Sequence, residues 1–61
     1  MKKITNVNQI VENIDNSDGK FYKMMDGKFY EINLVELLNM SLSAIIMAIK
    51  LGILYSTHFD N

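Results

Sequence analysis

The side chains that could carry chemistry are few and scattered along this sequence. It contains one histidine, His58, and no cysteine. A serine nucleophile activated by His58 would have to be Ser56 or a loop serine, and no acid is placed to orient the pair. We therefore expect His58 to be a solvated tail residue and the protein not to be an enzyme.

The seven carboxylates do not suggest a metal site. The segment 15–19 looks superficially like part of a calcium loop, but it lacks the glycine at the sixth and the glutamate at the twelfth position of such a loop. We interpret 15–19 as a turn that ends the first element, and we expect neither a metal ion nor a cofactor. The carboxylates are predicted to be caps, turn formers and solvated groups: Glu12, Asp15, Asp18, Asp26, Glu31, Glu36 and Asp60.

Size and composition favour self-association. The chain has 61 residues, of which 49% are hydrophobic, and is predicted to be one domain, 1–61. A core of this size rarely supplies more than about 3–5 kcal/mol, and neither a disulfide nor a metal is at hand to reinforce it. We expect a homodimer or a higher oligomer. The net charge of −1, with six lysines and no arginine, disfavours a nucleic-acid partner.

The first half of the chain predicts a short helix followed by a β-hairpin. Val7, Ile10, Val11 and Ile14 have the spacing of one apolar helical stripe, which Asn6 could cap. A strand is the alternative, because Ile4, Val7 and the other β-branched residues of this segment also suit one.

A β-hairpin is predicted over about 20–32, because Asp-Gly between two aromatic runs favours a tight two-residue turn. That turn, at Asp26-Gly27, would pair Met24 with Phe29 and Tyr22 with Glu31, so that each face of the hairpin carries aromatic and charged groups.

The second half is nearly all apolar. Asn33 could cap a helix with Glu36 at the capping-box position, and the apolar residues of 34–54 occur on every side of that helix. We predict a long or broken apolar C-terminal helix over about 34–52, followed by an extended tail that folds back. The fold class is therefore α+β. The predicted dimer interface consists of Leu38, Leu42, Ile45, Ile46, Ile49 and Ile53.

The segments 37–45 and 48–54, LLNMSLSAI and AIKLGIL, resemble the helix-turn-helix of the excisionase and MerR-like family. The resemblance covers about a third of the chain and implies that Asn39 replaces the glycine of the turn, with a left-handed backbone. It also implies a DNA-binding regulator that uses Ser41, Ser43 and Lys50. However, the recognition helix here presents Leu42, Ala44, Ile46 and Met47 in place of the family's polar groups.

A membrane span is a second alternative. The segment 37–55 has nearly the length that a bilayer requires, and Lys50 is its only charge. Lys50 could reach the interface and Tyr55 suits one. Asn39, Ser41 and the absence of positive flanks disfavour this interpretation.

The function that the sequence favours is protein binding. Tyrosine, phenylalanine and methionine give adaptable contact area, so the predicted partner-binding residues are Phe21, Tyr22, Met24, Met25, Phe29 and Tyr30. Phe21 and Phe29 could equally be core residues. The Lys-, Asn- and Ile-rich composition is typical of small phage or mobile-element proteins of low-GC bacteria. We therefore expect an inhibitor or modulator of a host protein, for example a defence protein, in the bacterial cytoplasm.

Overall fold

The computed structural model describes residues 1–16 and 20–57, so His58 and the last three residues of the predicted 15–19 turn lie outside the described residues. The described residues form a mixed α+β fold, as predicted, with three helices and four strands. In chain order these are β1 (Lys2–Lys3), α1 (Val7–Asn16), β2 (Phe21–Met25), β3 (Lys28–Ile32), α2 (Leu34–Asn39), α3 (Leu42–Leu51) and β4 (Leu54–Ser56).

The four strands form one antiparallel sheet in the order β1-β4-β2-β3. The predicted hairpin is confirmed with its predicted register, in which Met24 is opposite Phe29 and Tyr22 is opposite Glu31. Its turn residues, Asp26 and Gly27, both have positive φ, at 52° and 77°. Two left-handed residues give the turn a twist that matches the strands, which is why Asp-Gly predicts this hairpin well.

All three helices pack against the same face of the sheet. One buried cluster combines side chains from the helices, the strands and the residue after β1: Ile4, Ile10, Phe21, Ile32, Leu37, Ala48 and Leu54. Because side chains alternate along a strand, Tyr22 on β2 and Tyr55 on β4, which follow Phe21 and Leu54, point to the opposite face, away from the helices. The hydrophobic core therefore lies on one side of the sheet only.

Helix α1 begins where the sequence predicts. The Gln9 backbone N–H donates to Asn6 Oδ1 at 3.2 Å, and the Thr5 backbone N–H donates to Gln9 Oε1 at 2.7 Å. The first bond satisfies a backbone donor that the first turn of a helix leaves free, and the second ties the residue before the Asn6 cap to the same turn. The helix then directs Ile10 into the core and leaves Val11 exposed.

The apolar C-terminal segment forms two helices. Helix α2 has the predicted cap, since Asn33 Oδ1 accepts from the Glu36 backbone N–H at 2.8 Å. Met40 and Ser41 are extended, and Ser41 Oγ accepts from the Ala44 backbone N–H at 3.1 Å to cap α3. The predicted left-handed turn at Asn39 is wrong, because Asn39 is the last residue of α2 and the break follows it.

The segment after α3 turns back into the sheet. Gly52 ends α3 with a left-handed backbone, φ 70° and ψ 29°, and its N–H donates to the carbonyls of Ala48 and Ile49. Strand β4 follows at once and lies between β1 and β2, so the predicted extended tail becomes a central strand. Residues 37–55 thus form the end of α2, all of α3 and the start of β4, instead of one span. Within the described chain, every helix is too short or too polar to cross a bilayer.

Asn13 on α1 is a polar group inside the core. Its side chain is 1% exposed, and neither its Oδ1 nor its Nδ2 has a hydrogen-bond partner. It lines a cavity of about 300 Å³ with Phe21 and Ile32. An unpaired buried amide costs about 1–3 kcal/mol, which is a large share of the stability of so small a fold.

We expect Asn13→Leu to raise the free energy of unfolding by about 1–3 kcal/mol, because it removes the unpaired amide and the cavity has room for the two bulkier methyl groups that replace the amide oxygen and nitrogen. Chemical denaturation measures the change. Asn8→Leu makes the same substitution at an exposed position of α1 and reports the gain in helix propensity alone. If Asn13→Leu were less stable than Asn8→Leu, the amide would have a partner in the native protein.

Candidate binding surfaces

The face of the sheet opposite the helices is uncovered and aromatic. Tyr22 and Tyr55 are directly opposite one another on β2 and β4, and Met24 is opposite Phe29 on β2 and β3. We call these four residues the sheet face. Phe29 is exposed, and the other three are half-buried by their neighbours on the sheet.

Two rings of the sheet face hold each other in place. The Phe29 and Tyr55 centroids are 4.9 Å apart and the ring planes are at 83°, an edge-to-face contact. Such pairs contribute about 0.5–1.5 kcal/mol beyond their buried area. Because β2 lies between β3 and β4, the contact joins side chains of two strands that are not neighbours in the sheet. A partner would therefore find rigid rings there, at low entropic cost.

The predicted partner-binding residues are divided between three environments. Tyr22, Met24 and Phe29 lie on the sheet face. Phe21 lies in the core at 4% exposure, the alternative that the sequence left open for it. Met25 and Tyr30 are exposed on the helix side of the sheet. Successive residues of a strand point to opposite faces of the sheet, so neighbouring positions on β2 and β3 lie on different faces. The six predicted residues include neighbouring positions and therefore cannot form one surface.

Tyr55 is the member of the sheet face that sequence analysis assigned to no binding site. Its neighbours Leu54 and Ser56 are both buried, so Tyr55 points to the other face of β4. The sequence feature that predicts this orientation is the alternation of Tyr55 with apolar Leu54, which is typical of a strand with one buried face. The alternation extends over only three residues, and it follows an apolar helix, so the start of the strand is hard to distinguish from the end of the helix in the sequence.

The second uncovered surface is on α2 and α3. Five aliphatic side chains are 55–68% exposed there: Val35, Leu38, Leu42, Met47 and Leu51. On α3, Ile45, Ala48 and Ile49 face the core, while Leu42 with Ile46 and Met47 with Leu51 form two exposed lines, each one turn apart. We call the five residues and Ile46 the helical surface. It is the largest group of exposed aliphatic side chains in the described chain.

The predicted dimer interface is only partly on this surface. Leu38 and Leu42 are more than 60% exposed, and Ile46 is 37% exposed. The other three residues, Ile45, Ile49 and Ile53, pack against the core cluster of their own chain. Half of the predicted interface therefore stabilises the monomer fold, because α3 needs a core-facing side.

An apolar groove continues the helical surface toward the sheet. It has a volume of about 240 Å³ and runs between Met47 and Leu51 on α3 and Ile32 and Leu54 on the sheet. Lys23 lies at this groove and is the only charged residue among those that line it. A small apolar side chain from another protein would fit in it.

The residues of the DNA-binding alternative have different roles. Ser41 caps α3 through its hydroxyl. Ser43 and Lys50 are exposed and two turns apart on the outer side of α3, between the two aliphatic lines. One lysine between leucines and methionines gives this helix a weak attraction for phosphates.

The described residues bring no metal-ligating groups together: among residues 1–16 and 20–57, no three His, Asp or Glu side chains form a group that could hold a metal ion. Exposed apolar side chains therefore remain the main chemical feature of the described surface. Exposed apolar side chains in such numbers are typical of protein–protein contact sites.

Comparison of the chain with protein-family models, with curated proteins and with solved structures finds no match in any of the three.

Proposed function

We propose that this protein is a small non-catalytic binding module that forms a homodimer and docks on another protein. The observation that supports this most is the pair of uncovered apolar surfaces on opposite sides of one thin layer, the sheet face and the helical surface. A homodimer would cover one of them and leave the other for a partner. Both copies would then present the same docking surface outward.

The helical surface is the better docking surface for a different protein. Its aliphatic side chains project from two short helices joined by a bend, and the groove of about 240 Å³ lies beside them. Ser43 and Lys50 lie between Leu42 and Met47 around α3, so the apolar contacts would have polar groups among them. Apolar anchors with polar surroundings are the usual anatomy of a binding hot spot.

The biological setting follows from composition and remains part of the proposal. A Lys-, Asn- and Ile-rich chain of 61 residues without arginine is typical of phage and mobile-element proteins of low-GC bacteria. In that setting the partner is a host protein, for example a defence protein, in the bacterial cytoplasm. Blocking a protein surface needs no active site, which agrees with the scarcity of catalytic groups.

Solution mass tests the homodimer. We expect light scattering on detergent-free protein to give about 14 kDa, twice the 7.0 kDa of one chain, at the upper end of a tenfold concentration range. The reason is that a 61-residue monomer leaves both apolar surfaces in water. A mass of 7.0 kDa at every concentration would contradict self-association.

The docking surface is tested with Leu42→Asp and its matched control Ser43→Asp. Both positions are exposed in the first turn of α3, where an added carboxylate suits the helix dipole, so we expect both variants to fold normally. Host proteins retained by immobilised wild type and by Ser43→Asp should be lost with Leu42→Asp, and the loss should be repeated with the purified partner. Equal retention by all three proteins would remove the helical surface from the proposal.

The same variants decide between two arrangements of the dimer. If the helical surface docks a partner, Leu42→Asp keeps the wild-type mass, and this is what we expect. If self-association uses Leu38, Leu42 and Ile46, as the sequence predicts, Leu42→Asp becomes a monomer while Ser43→Asp does not.

The DNA-binding regulator remains the second candidate, because α2 and α3 are two short helices joined by a two-residue break, and Ser43 and Lys50 are exposed on α3. Duplex affinity measured against salt concentration tests it. We expect no binding at low salt, because the outer side of α3 has one lysine and no arginine. A steep loss of affinity with rising salt would indicate phosphate contacts and favour the regulator.

A further inference from the structure

A row of four side chains crosses the whole uncovered face of the sheet. Lys3 is opposite Tyr55, Tyr55 is opposite Tyr22, and Tyr22 is opposite Glu31. Residues opposite one another in antiparallel strands point to the same face, so the row has a lysine at one edge, two tyrosines in the middle and a glutamate at the other edge. The backbones of Lys3 and Glu31 are three strand spacings apart, about 14 Å.

The ends of this row are available for contact. Lys3 and Glu31 are both exposed. The Lys3 side chain extends past Gly52, where an added Cβ would be 3.2 Å from its Nζ, and its four-carbon stem lets the ammonium turn over the sheet. Two strands lie between Lys3 and Glu31, and the Lys3 ammonium lies beside Gly52, so the two charges do not pair within one chain.

We infer that the sheet face is the homodimer interface, and that two copies stack face to face with Lys3 of each copy over Glu31 of the other. A two-fold axis parallel to the strands reverses the order of the strands in the second copy and makes both charge pairs attractive. A two-fold axis across the strands would instead place Lys3 over Lys3 and Glu31 over Glu31. The charges of the row therefore select one of the two symmetric arrangements.

The middle of the interface would be the aromatic cluster. Two sheets pack face to face about 10 Å apart and within about 30° of parallel, with interdigitated side chains between them. Tyr22, Met24, Phe29 and Tyr55 would supply that layer from each copy. The molecule measures 27 × 23 × 19 Å, which limits the contact to roughly 600 Å² per copy, the low end for a specific interface.

This inference rests on the proposed homodimer, and charge reversal tests it. Lys3→Glu or Glu31→Lys alone converts both attractive pairs into repulsive ones. We expect each variant to raise the dimer dissociation constant roughly tenfold at low salt, with a smaller effect at high salt. An equimolar mixture of the two variants should form a heterodimer of near wild-type affinity, because both of its cross-chain pairs are again opposite in charge.

The control is Lys28→Glu, which makes the same charge change on β3 but on the helix side of the sheet, opposite Met25. We expect it to leave the dissociation constant within about twofold of wild type. Circular dichroism verifies that each variant is folded, and Glu31→Lys carries the test if Lys3→Glu disturbs the adjacent end of α3.

The outcomes are distinguishable. If each single variant dimerises more weakly than wild type and the mixture of the two regains near wild-type affinity, the sheet face is supported as the dimer interface. Unchanged dimers in both variants overturn it, and loss of the dimer in Leu42→Asp would then assign self-association to the helical surface with the homodimer intact. Wild type that is a monomer at every concentration overturns this inference and the proposed homodimer together.

Discussion

The structure depends on one constraint: a sheet of four strands and three short helices can enclose only a single layer of side chains between them. Nearly every element contributes one residue to that layer, from Ile10 on α1 to Leu54 on β4. The outer sides of the helices and the far side of the sheet then face water. With 49% hydrophobic residues, the chain has more apolar side chains than one layer holds. The two uncovered surfaces follow from this count.

The break between α2 and α3 is a response to the same limit. A straight helix over 34–52 would be about 28 Å long, slightly more than the 27 Å length of the whole molecule. One end of it would project beyond the sheet with no core to cover. Two extended residues, Met40 and Ser41, redirect the chain, so that Leu37 on α2 and Ala48 on α3 both reach the core. The Ser41 cap satisfies a backbone donor that the new helix end exposes.

Local signals predicted the elements well and the surfaces only in part. Asp26-Gly27 identified the hairpin and its register, and Asn6 and Asn33 identified two helix starts, because each depends on neighbouring residues alone. The predicted binding residues do not form one surface, because the sequence of a strand does not show which of its two faces the helices will cover. Strand β1 was not predicted, because Lys2 and Lys3 join the sheet only by pairing with β4, more than fifty residues away.

The position of β4 between β1 and β2 has a consequence for how the chain folds. The hairpin and the helices are local, but the N-terminal strand has no place in the sheet until β4 has paired with β2. Closing that contact requires nearly the whole chain to be ordered at once, and non-local pairing of this kind slows folding. A chain cut after α3 would keep every helix and the hairpin, yet it would lose the strand that joins its two halves. The stability of the fold therefore depends on the presence of β4. A partly folded chain in which β4 is not yet paired would be little protected from proteolysis.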